Sequence, residues 1–309
     1  HKTNIGLDFE LFHSRLKGSF DYYWEMSQDN RINVNIAPSS GFSSYPDNLG
    51  NVLNRGMEIG LNYKYLNKGD WQGSVFGTAI RNVNKIKKIT KELVAFNNKQ
   101  DANAGNKPMV YYIENESFNT IWAVQSLGIN PANGDELFRK RNGQITSEWS
   151  TEDLIPAGCS DPKLEGTFGT FFRYKDFSLN AYFAFRLGAD LYNETLVDKV
   201  ENSSPQENVD RRAFDQGWKK PGDVSFYRKP GNKETKATTR FIQKENYLKM
   251  GSLNLTYYLP APFCRKICLK NAKFSIYMND VFTISSIKQE RGISYPFARN
   301  YSASLQLTF

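Results

Sequence analysis

The feature that most constrains this chain is an alternation of apolar and polar residues with a period of two. In the last segment Tyr301, Ala303 and Leu305 alternate with Ser302 and Ser304. Successive side chains of a β-strand point to opposite faces, so the pattern predicts strands with one apolar and one polar face. Nine segments carry it, the fourth and fifth more weakly: 5–11, 19–26, 57–65, 71–84, 166–174, 177–187, 252–257, 274–279 and 299–309.

The connections between these segments alternate in length. The short ones are 13–15, 67–70, 175–176 and 259–270, and the long ones are 28–51, 85–163, 190–240 and 283–296. Barrels of the bacterial outer membrane have short periplasmic turns and long extracellular loops. We therefore predict an all-β fold that forms part of a transmembrane antiparallel β-barrel. Loop 85–163 is long enough that we expect extra hairpins in it, for example at 109–113 or 136–145.

Aromatic residues make up 14% of the chain, with 22 Phe, 17 Tyr and 5 Trp among 309 residues. Their rings suit the boundary between lipid and water. No stretch approaches the roughly 18 apolar residues that a spanning helix needs, whereas a barrel strand shows only every second residue to lipid. We expect girdle positions at the membrane boundary for Phe9, Tyr22, Tyr63, Tyr65, Tyr257 and Tyr301.

Several other classes of protein fit poorly. The net charge of +8 comes from scattered basic residues without a nucleic-acid-binding motif, so we expect no nucleic-acid partner. His1 and His13 are the only histidines, which argues against a His-rich metal site, and we predict neither a metal nor a cofactor. Catalytic and nucleotide-binding motifs are absent, so we predict that the protein is not an enzyme. Cys264 and Cys268 either pair across a turn or stay as thiols, and Cys159 has no obvious partner.

Nine strands do not close a bacterial barrel, because single-chain barrels use an even number of strands. An open sheet in lipid would leave unpaired backbone groups along two edges. The chain also starts at His1 without a signal peptide. We therefore expect further strands from a preceding part of a longer protein.

Five segments carry motifs in a characteristic order. They read NLGN then NRGME in 48–58, GINPANG in 128–134, FRYKDFSL in 172–179, DRR, W and KPGD in 210–223, and RFI, YLK and NLTYYLP in 240–260. Together they resemble the C-terminal part of the SusC/RagA family of TonB-dependent outer-membrane transporters. One departure is ERG at 290–292, where the family often has DPE in the last external loop.

The resemblance implies a 22-stranded barrel with a plug and a SusD-like lipoprotein lid. Residues 1–309 would then be the last nine strands, with the plug and the N-terminal extension absent from this chain. It implies active import of a glycan or oligopeptide across the outer membrane, powered through TonB by way of the missing N-terminal region. Phe309 resembles the terminal aromatic residue that the outer-membrane assembly machinery recognises.

Two sets of residues are candidates for the transport path. Aromatic residues in or near the long loops are expected to touch the ligand or the lid, or else only to fold the loops: Trp122, Trp149, Tyr192, Trp218 and Tyr227. Charged residues of the strands are expected to line the lumen, or to be ordinary polar positions of the wall: Asp8, Glu10, Glu58, Lys64 and Arg186. Two rival hypotheses are a soluble β-sandwich that binds carbohydrate and a secreted glycoside hydrolase, although no carboxylate pair is placed for hydrolysis.

Overall fold

A computed structural model describes residues 1–28, 31–35, 44–48, 50–203, 206, 209–231, 234–288 and 298–309. Its strands are β1 (Lys2–Leu11), β2 (Leu16–Ser27), β3 (Arg31–Asn35), β4 (Ser44–Asn48), β5 (Asn51–Lys68), β6 (Trp71–Lys88), β7 (Thr120–Ile129), β8 (Glu136–Arg139), β9 (Ile145–Thr146), β10 (Leu154–Cys159), β11 (Leu164–Tyr174), β12 (Phe177–Tyr192), β13 (Ile242–Tyr258), β14 (Asn271–Ser285) and β15 (Tyr301–Thr308). The α-helices are α1 (Lys91–Gln100), α2 (Arg211–Asp215) and α3 (Ala261–Lys266), and single turns of other helix types lie at Asp101–Asn103, Thr151–Asp153, Leu196–Glu201 and Thr239–Phe241.

Nine of these strands form one antiparallel sheet, which we call the wall. Its order is β1-β2-β5-β6-β11-β12-β13-β14-β15, so each wall strand pairs with the next wall strand along the chain. These are the nine strands predicted from the alternation, and the all-β prediction is confirmed. The strands β5 and β6 run to 18 residues each, beyond the 9–11 that cross a membrane, and their extra length rises into the loops.

The wall has one apolar and one polar face, as the alternation predicts. On the apolar face Phe20 lies opposite Ile59 in the register of β2 and β5. Ile5 and Leu7 on the same face are 67% and 62% exposed, so no second sheet of the described structure packs on them. A β-sandwich buries that face between two sheets, and the rival hypothesis of a soluble sandwich is therefore wrong for this fold.

The short connections all lie at one end of the wall, which we call the turn end. Between β5 and β6 the chain reverses at Gly69, whose φ of +56° suits glycine. Between β11 and β12 it reverses at Lys175, whose backbone N–H donates to the Asp70 carbonyl of the neighbouring turn at 3.0 Å. The Tyr258 N–H donates to the Asp176 carbonyl at 2.8 Å in the same way. The predicted alternation of short and long connections therefore corresponds to the two ends of the wall, with the short turns at one end and the long loops at the other.

Aromatic rings of the apolar face gather near the turn end. The rings of Trp71 and Tyr174 lie 3.9 Å apart, and those of Phe177 and Tyr257 lie 4.6 Å apart, measured between centroids. The six rings predicted for girdles are all in wall strands, with Tyr22 and Tyr301 in the half nearer the long loops. A band of rings at this depth is the arrangement expected at a lipid–water boundary.

The opposite end, the loop end, carries a second sheet of four strands in the order β10-β7-β8-β9. The hairpin predicted at 136–145 is confirmed as β8 and β9. The hairpin predicted at 109–113 is wrong: these residues form no strand, because Tyr111 packs into a buried cluster and the Tyr112 N–H donates to the Asn97 side chain at 3.0 Å. Residues 290–292 lie outside the described residues.

The cysteines and helices add two points. Cys159, Cys264 and Cys268 are all free thiols, with Cys264 buried and Cys268 exposed, so the thiol alternative holds rather than the disulfide. Among the described residues no helix is long and apolar enough to cross a membrane. The longest, α1, is capped at its N-terminus by Thr90, whose hydroxyl accepts from the Leu93 N–H, and it buries Leu93 against Val52 of β5.

Candidate functional site

The candidate site is the loop end together with the polar face of the wall below it. Residues 89–163 and the described part of 193–241 build this end, and we call them the loop layer. The extension of β6 holds one side, because Ile86 exchanges backbone hydrogen bonds with Asn115 and Glu116 at 2.7 and 2.9 Å. At the other side the Asn193 N–H donates to the Phe241 carbonyl at 2.9 Å, where β12 ends and β13 begins. The layer is therefore fixed to the wall by continuous strands.

Two apolar cores give the loop layer its shape. One contains Ile121, Tyr192, Leu196, Val197, Val200, Tyr227, Ala237 and Phe241. The other contains Tyr111, Trp122, Val124, Phe138 and Leu154. Strand β7 joins them, since Ile121 belongs to the first core and Trp122 to the second. Burial on both of its faces explains why β7 lacks the alternation that the prediction required.

A buried ion-pair network locks the two long loops together. The Arg240 guanidinium donates to Glu201 at 2.5 Å and to Glu136 at 2.7 Å, and all three side chains are at most 5% exposed. Burial alone would lower the pKa of Arg240, but the hydrogen bonds that it donates to the two carboxylates raise its pKa overall. The three residues come from β8, from the turn Leu196–Glu201 and from the entry to β13.

None of the three residues of this network is among the site residues predicted from the sequence. The signal in the sequence is slight: Arg240 precedes Phe241 and Ile242, and Glu136 precedes Leu137 and Phe138. A charged residue at the edge of an apolar run looks the same whether it is solvated or paired. The partners are 39 and 104 residues apart along the chain, so their pairing is a property of the fold.

Three of the five predicted contact residues are buried in the cores of the loop layer. Trp122, Tyr192 and Tyr227 are 4%, 7% and 3% exposed. The Tyr192 hydroxyl donates to the Asn106 carbonyl at 2.8 Å, which ties β12 to the long loop before β7. These three rings fold the loops, and their predicted contact with a ligand or lid stays a prediction.

Trp149 and Trp218 are half-buried. The Trp149 indole N–H donates to the Ala237 carbonyl at 2.9 Å, and that of Trp218 donates to the Pro131 carbonyl at 3.0 Å. The Trp218 ring lies so close to Gly134 that an added Cβ there would come within 2.6 Å of it. Each ring therefore links two loop segments through its hydrogen bond, and part of its surface stays accessible.

The five predicted lumen residues lie in wall strands, at the alternate positions whose side chains form the polar face. Asp8 lies opposite Ser19, and Glu58 lies opposite Asp21. Glu10 pairs with Lys17 at 3.1 Å. The strand register therefore puts these residues on the face away from the lipid, and whether a solute passes them stays a prediction.

Arg186 and Lys64 occupy the two extremes of this polar face. Arg186, near the loop end, donates to Glu245 at 3.0 Å and to the Ser160 carbonyl at 2.5 Å. It therefore joins the polar face of the wall to the loop layer. Lys64, at the turn end, has its backbone N–H bonded to the Arg15 carbonyl at 2.8 Å.

Nothing in the described part of the chain gathers three or more His, Cys, Asp or Glu side chains into a metal-binding group. The polar face offers charged side chains, some of them in ion pairs, such as Glu10 with Lys17, and the loop layer offers half-buried aromatic rings.

No family model matches the chain. Among curated proteins, TonB-dependent receptor P3 of Formosa agariphila is 24% identical over 299 residues, which is 92% of this chain and 29% of that protein. TonB-dependent receptor SusC of Bacteroides thetaiotaomicron is 24% identical over 209 residues, which is 65% of this chain and 20% of that protein. The chain spans less than a third of the length of these relatives.

Solved structures give the same picture for the fold. The structure of the RagAB peptide transporter matches 100% of this chain and 35% of that chain, with a TM-score of 0.81 and 22% identity. The RagAB peptide importer in the "open-open" state matches with a TM-score of 0.78 and the same identity, over 100% of this chain and 34% of that one. These relatives confirm the predicted barrel-type fold, the resemblance to SusC/RagA-type receptors and the outer-membrane location.

Proposed function

We propose that this chain, as part of a SusC/RagA-type TonB-dependent receptor, helps to import a glycan or an oligopeptide nutrient across the outer membrane. The observation that carries the proposal is the sorting of the wall: one apolar face, one polar face, and a loop layer fixed at one end only. Such a wall surrounds a polar path and presents its loops to the outside. Residues 1–309 supply nine strands and their loops, and the plug and the TonB contact come from the rest of the receptor.

The loop layer supports the proposal that a SusD-like lipoprotein covers the loop end. Large apolar side chains are exposed to solvent there: Val224, Phe214 and Ile145 are 93%, 68% and 63% exposed. These residues lie in the loop layer, beyond the wall strands that lipid would cover: Ile145 in β9, Phe214 in α2 and Val224 in the loop that follows. Exposed apolar groups of this size, set among polar residues, are typical of a surface that meets another protein.

The ligand is proposed to meet the loop layer and then the polar face. Trp149 and Trp218 keep part of their rings accessible, so a sugar or a peptide reaches them without opening a loop core. Trp122, Tyr192 and Tyr227 would act on the ligand through the shape of the loops that they hold. Below them Asp8, Glu10, Glu58, Lys64 and Arg186 offer charged partners along the lumen side.

Uptake by cells tests the function. A strain lacking the full-length gene is compared with the wild type for import of labelled oligosaccharide and oligopeptide pools, each with and without TonB. We expect uptake of one pool to fall to background in both the gene deletion and the TonB deletion. Unchanged uptake of every pool after deletion of the gene would overturn the proposal.

Purification from the native membrane tests the lid. We expect a lipoprotein to co-purify with the receptor, and to be lost from the variant that combines Phe214→Asp with Val224→Asp. The matched control is Val94→Asp, which alters an exposed apolar residue of α1 elsewhere in the loop layer. Recovery of the receptor without any lipoprotein, or equal loss in the control, would contradict the assignment of this surface.

A further inference from the structure

Three basic residues gather on the apolar face of the wall near the loop end. Arg55 of β5 lies opposite Val83 of β6, and the residues two positions to either side of Val83 are Arg81 and Lys85. Residues spaced by two share a face, so all three cations point to the side that carries Met57. We call Arg55, Arg81 and Lys85 the basic cluster.

The basic cluster has no acidic partner within the part of the chain that the structure describes. Arg55 and Arg81 are exposed, Lys85 is half-buried, and none of the three forms an ion pair there. Diagonal neighbours on adjacent strands lie roughly 7–8 Å apart, so the three positive charges repel one another. An anion that binds between them would relieve this repulsion.

The depth of the basic cluster is that of a membrane boundary. Trp24 lies directly opposite Arg55 on the next strand, and Tyr22 lies opposite Met57. Trp and Tyr are enriched at the level of lipid headgroups. A basic residue on the lipid face of a barrel costs about 2–4 kcal/mol at the bilayer midplane but about 0–1 near the boundary. The basic cluster is therefore at headgroup level.

A cavity of about 520 Å³ opens beside the basic cluster. Strand β11 pairs with β6 only as far as Ile80, so the last eight residues of β6 have no strand on that side. Arg81 and Lys85 line the resulting gap. The wall thus leaves room for a headgroup next to its cations.

Three carboxylates also line this cavity, and two of them are already bound. Asp161 accepts from Ser117 at 2.5 Å and from Asn119 at 2.7 Å, and Asp190 pairs with Lys244 at 2.6 Å. Glu116 is the third. The cations of the basic cluster therefore outnumber the carboxylates that face the cavity without a strong partner.

An apolar groove of about 510 Å³ runs along the same face directly below the basic cluster. Its floor contains Gly77 and Ala79, and the side chains of Val75, Phe168 and Phe183 border it. Ala79 is two residues from Arg81 on β6, roughly 7 Å along the strand. A cationic site with an apolar groove at this spacing matches a molecule that has an anionic head and a hydrocarbon chain.

We propose that the wall binds one phosphate-bearing lipid of the outer leaflet at this place. The phosphate lies between Arg55, Arg81 and Lys85, and an acyl chain follows the groove over Gly77 and Ala79. Arg is suited to phosphate because its planar guanidinium donates two parallel hydrogen bonds. The site faces away from the lumen and is independent of the imported ligand.

Native mass spectrometry of the full-length receptor tests the site. Delipidated receptor in detergent is mixed with monophosphoryl lipid A, with phosphatidylcholine or with inorganic phosphate, and the bound fraction is measured. We expect lipid A to be retained selectively. The variant Arg55→Gln with Arg81→Gln should retain it roughly 25-fold less, because each basic residue near a membrane surface contributes roughly a fivefold factor.

Two further variants separate the site from general effects. Arg211→Gln with Lys220→Gln also removes two positive charges, but from the loop layer, and should leave lipid retention unchanged. Ala79→Phe keeps every charge but fills the groove, and it should weaken retention of lipid A as well. Equal retention by the wild type and the Arg55/Arg81 variant would overturn the proposal, and so would displacement of the lipid by inorganic phosphate. Loss of lipid retention with normal uptake would leave the import function standing.

Discussion

The Arg240 side chain is buried in the loop layer and pairs with two carboxylates, those of Glu136 and Glu201. Its guanidinium also donates to the Phe226 carbonyl at 2.6 Å, so one side chain holds three separate stretches of the loop layer. A second arginine, Arg228, lies 3.7 Å from Glu201 and balances the charge. Arginine suits this role because it stays charged when it is buried and presents several donors in fixed directions.

Replacement of this residue tests its role. Arg240→Met would leave Glu136 and Glu201 buried without their main counter-charge, and breaking such a pair costs about 3–5 kcal/mol. We expect rapid proteolysis of the loop layer in the purified full-length receptor, with an intact wall. Arg211→Met is the control, since Arg211 is 89% exposed in its ion pair and should change little. Equal protease resistance of the two variants would contradict the role of Arg240.

Asp210 gives a prediction about pH in the loop layer. It caps α2 by accepting from the Arg212 N–H, and hydrogen bonds from the Arg212 side chain and backbone lower its pKa from 3.8 to about 2. A lowered pKa in the folded state stabilises the fold above pH 3.8, and this contribution is lost as the pH falls towards 2. Hydrogen exchange of residues 211–216, corrected for its intrinsic pH dependence, should show this change.

The matched variant is Asp210→Asn, which keeps an acceptor for the helix cap but cannot titrate. We expect its exchange to lack the step between pH 4 and pH 2. A wild-type step centred near pH 4, or the same step in the variant, would mean that the Arg212 contact does not hold the carboxylate.

At the scale of elements, the wall shows which parts of the fold the sequence predicts. The alternation located all nine wall strands, because each strand meets lipid on one side and polar surroundings on the other. It failed for β7, which lies in the loop layer and is buried on both faces, and for β10, whose side chains are mostly half-buried on both faces. The same limit applies to the site. The alternation of residues along each strand places Asp8 and Glu58 on the polar face. The burial of Trp122 depends on packing between residues far apart in the sequence, which the alternation does not show.

Glycine–aromatic pairs across strands give a prediction about the wall. A Cβ added at Gly73 would come within 2.5 Å of the Tyr65 ring, so the ring covers the backbone of the neighbouring strand. Gly73→Val should push Tyr65 out of the girdle and destabilise the wall by about 1–3 kcal/mol. The temperature at which the full-length receptor loses its fast mobility on an SDS gel should fall.

The control for this prediction is Gly251→Val in β13. The nearest atom to an added Cβ at Gly251 is 3.9 Å away, so a side chain fits there. We expect its transition temperature to stay close to that of the wild type. An equal fall in both variants would show that the loss comes from the glycine backbone and not from the ring.

At the scale of the whole molecule, the wall sorts its surfaces in two directions. Across the sheet it separates an apolar face from a polar one, and along the strands it separates short turns from the loop layer. The edge strands are β1 and β15, each paired on one side within the described structure. An apolar face, a polar face and loops at one end are the properties that a receptor wall needs in order to sit in lipid and pass a solute.

Accessibility of single cysteines along β12 tests this account most directly. Cys159, Cys264 and Cys268 are first replaced by Ser in the full-length receptor, and cysteines are then placed one at a time at positions 180–185 in cells. A membrane-impermeant maleimide should label positions 180, 182 and 184 on the polar face after detergent-free opening of the outer membrane, and leave 181, 183 and 185 unlabelled. Uniform labelling of all six positions, or labelling of the apolar series alone, would contradict a wall that faces lipid on one side and the lumen on the other.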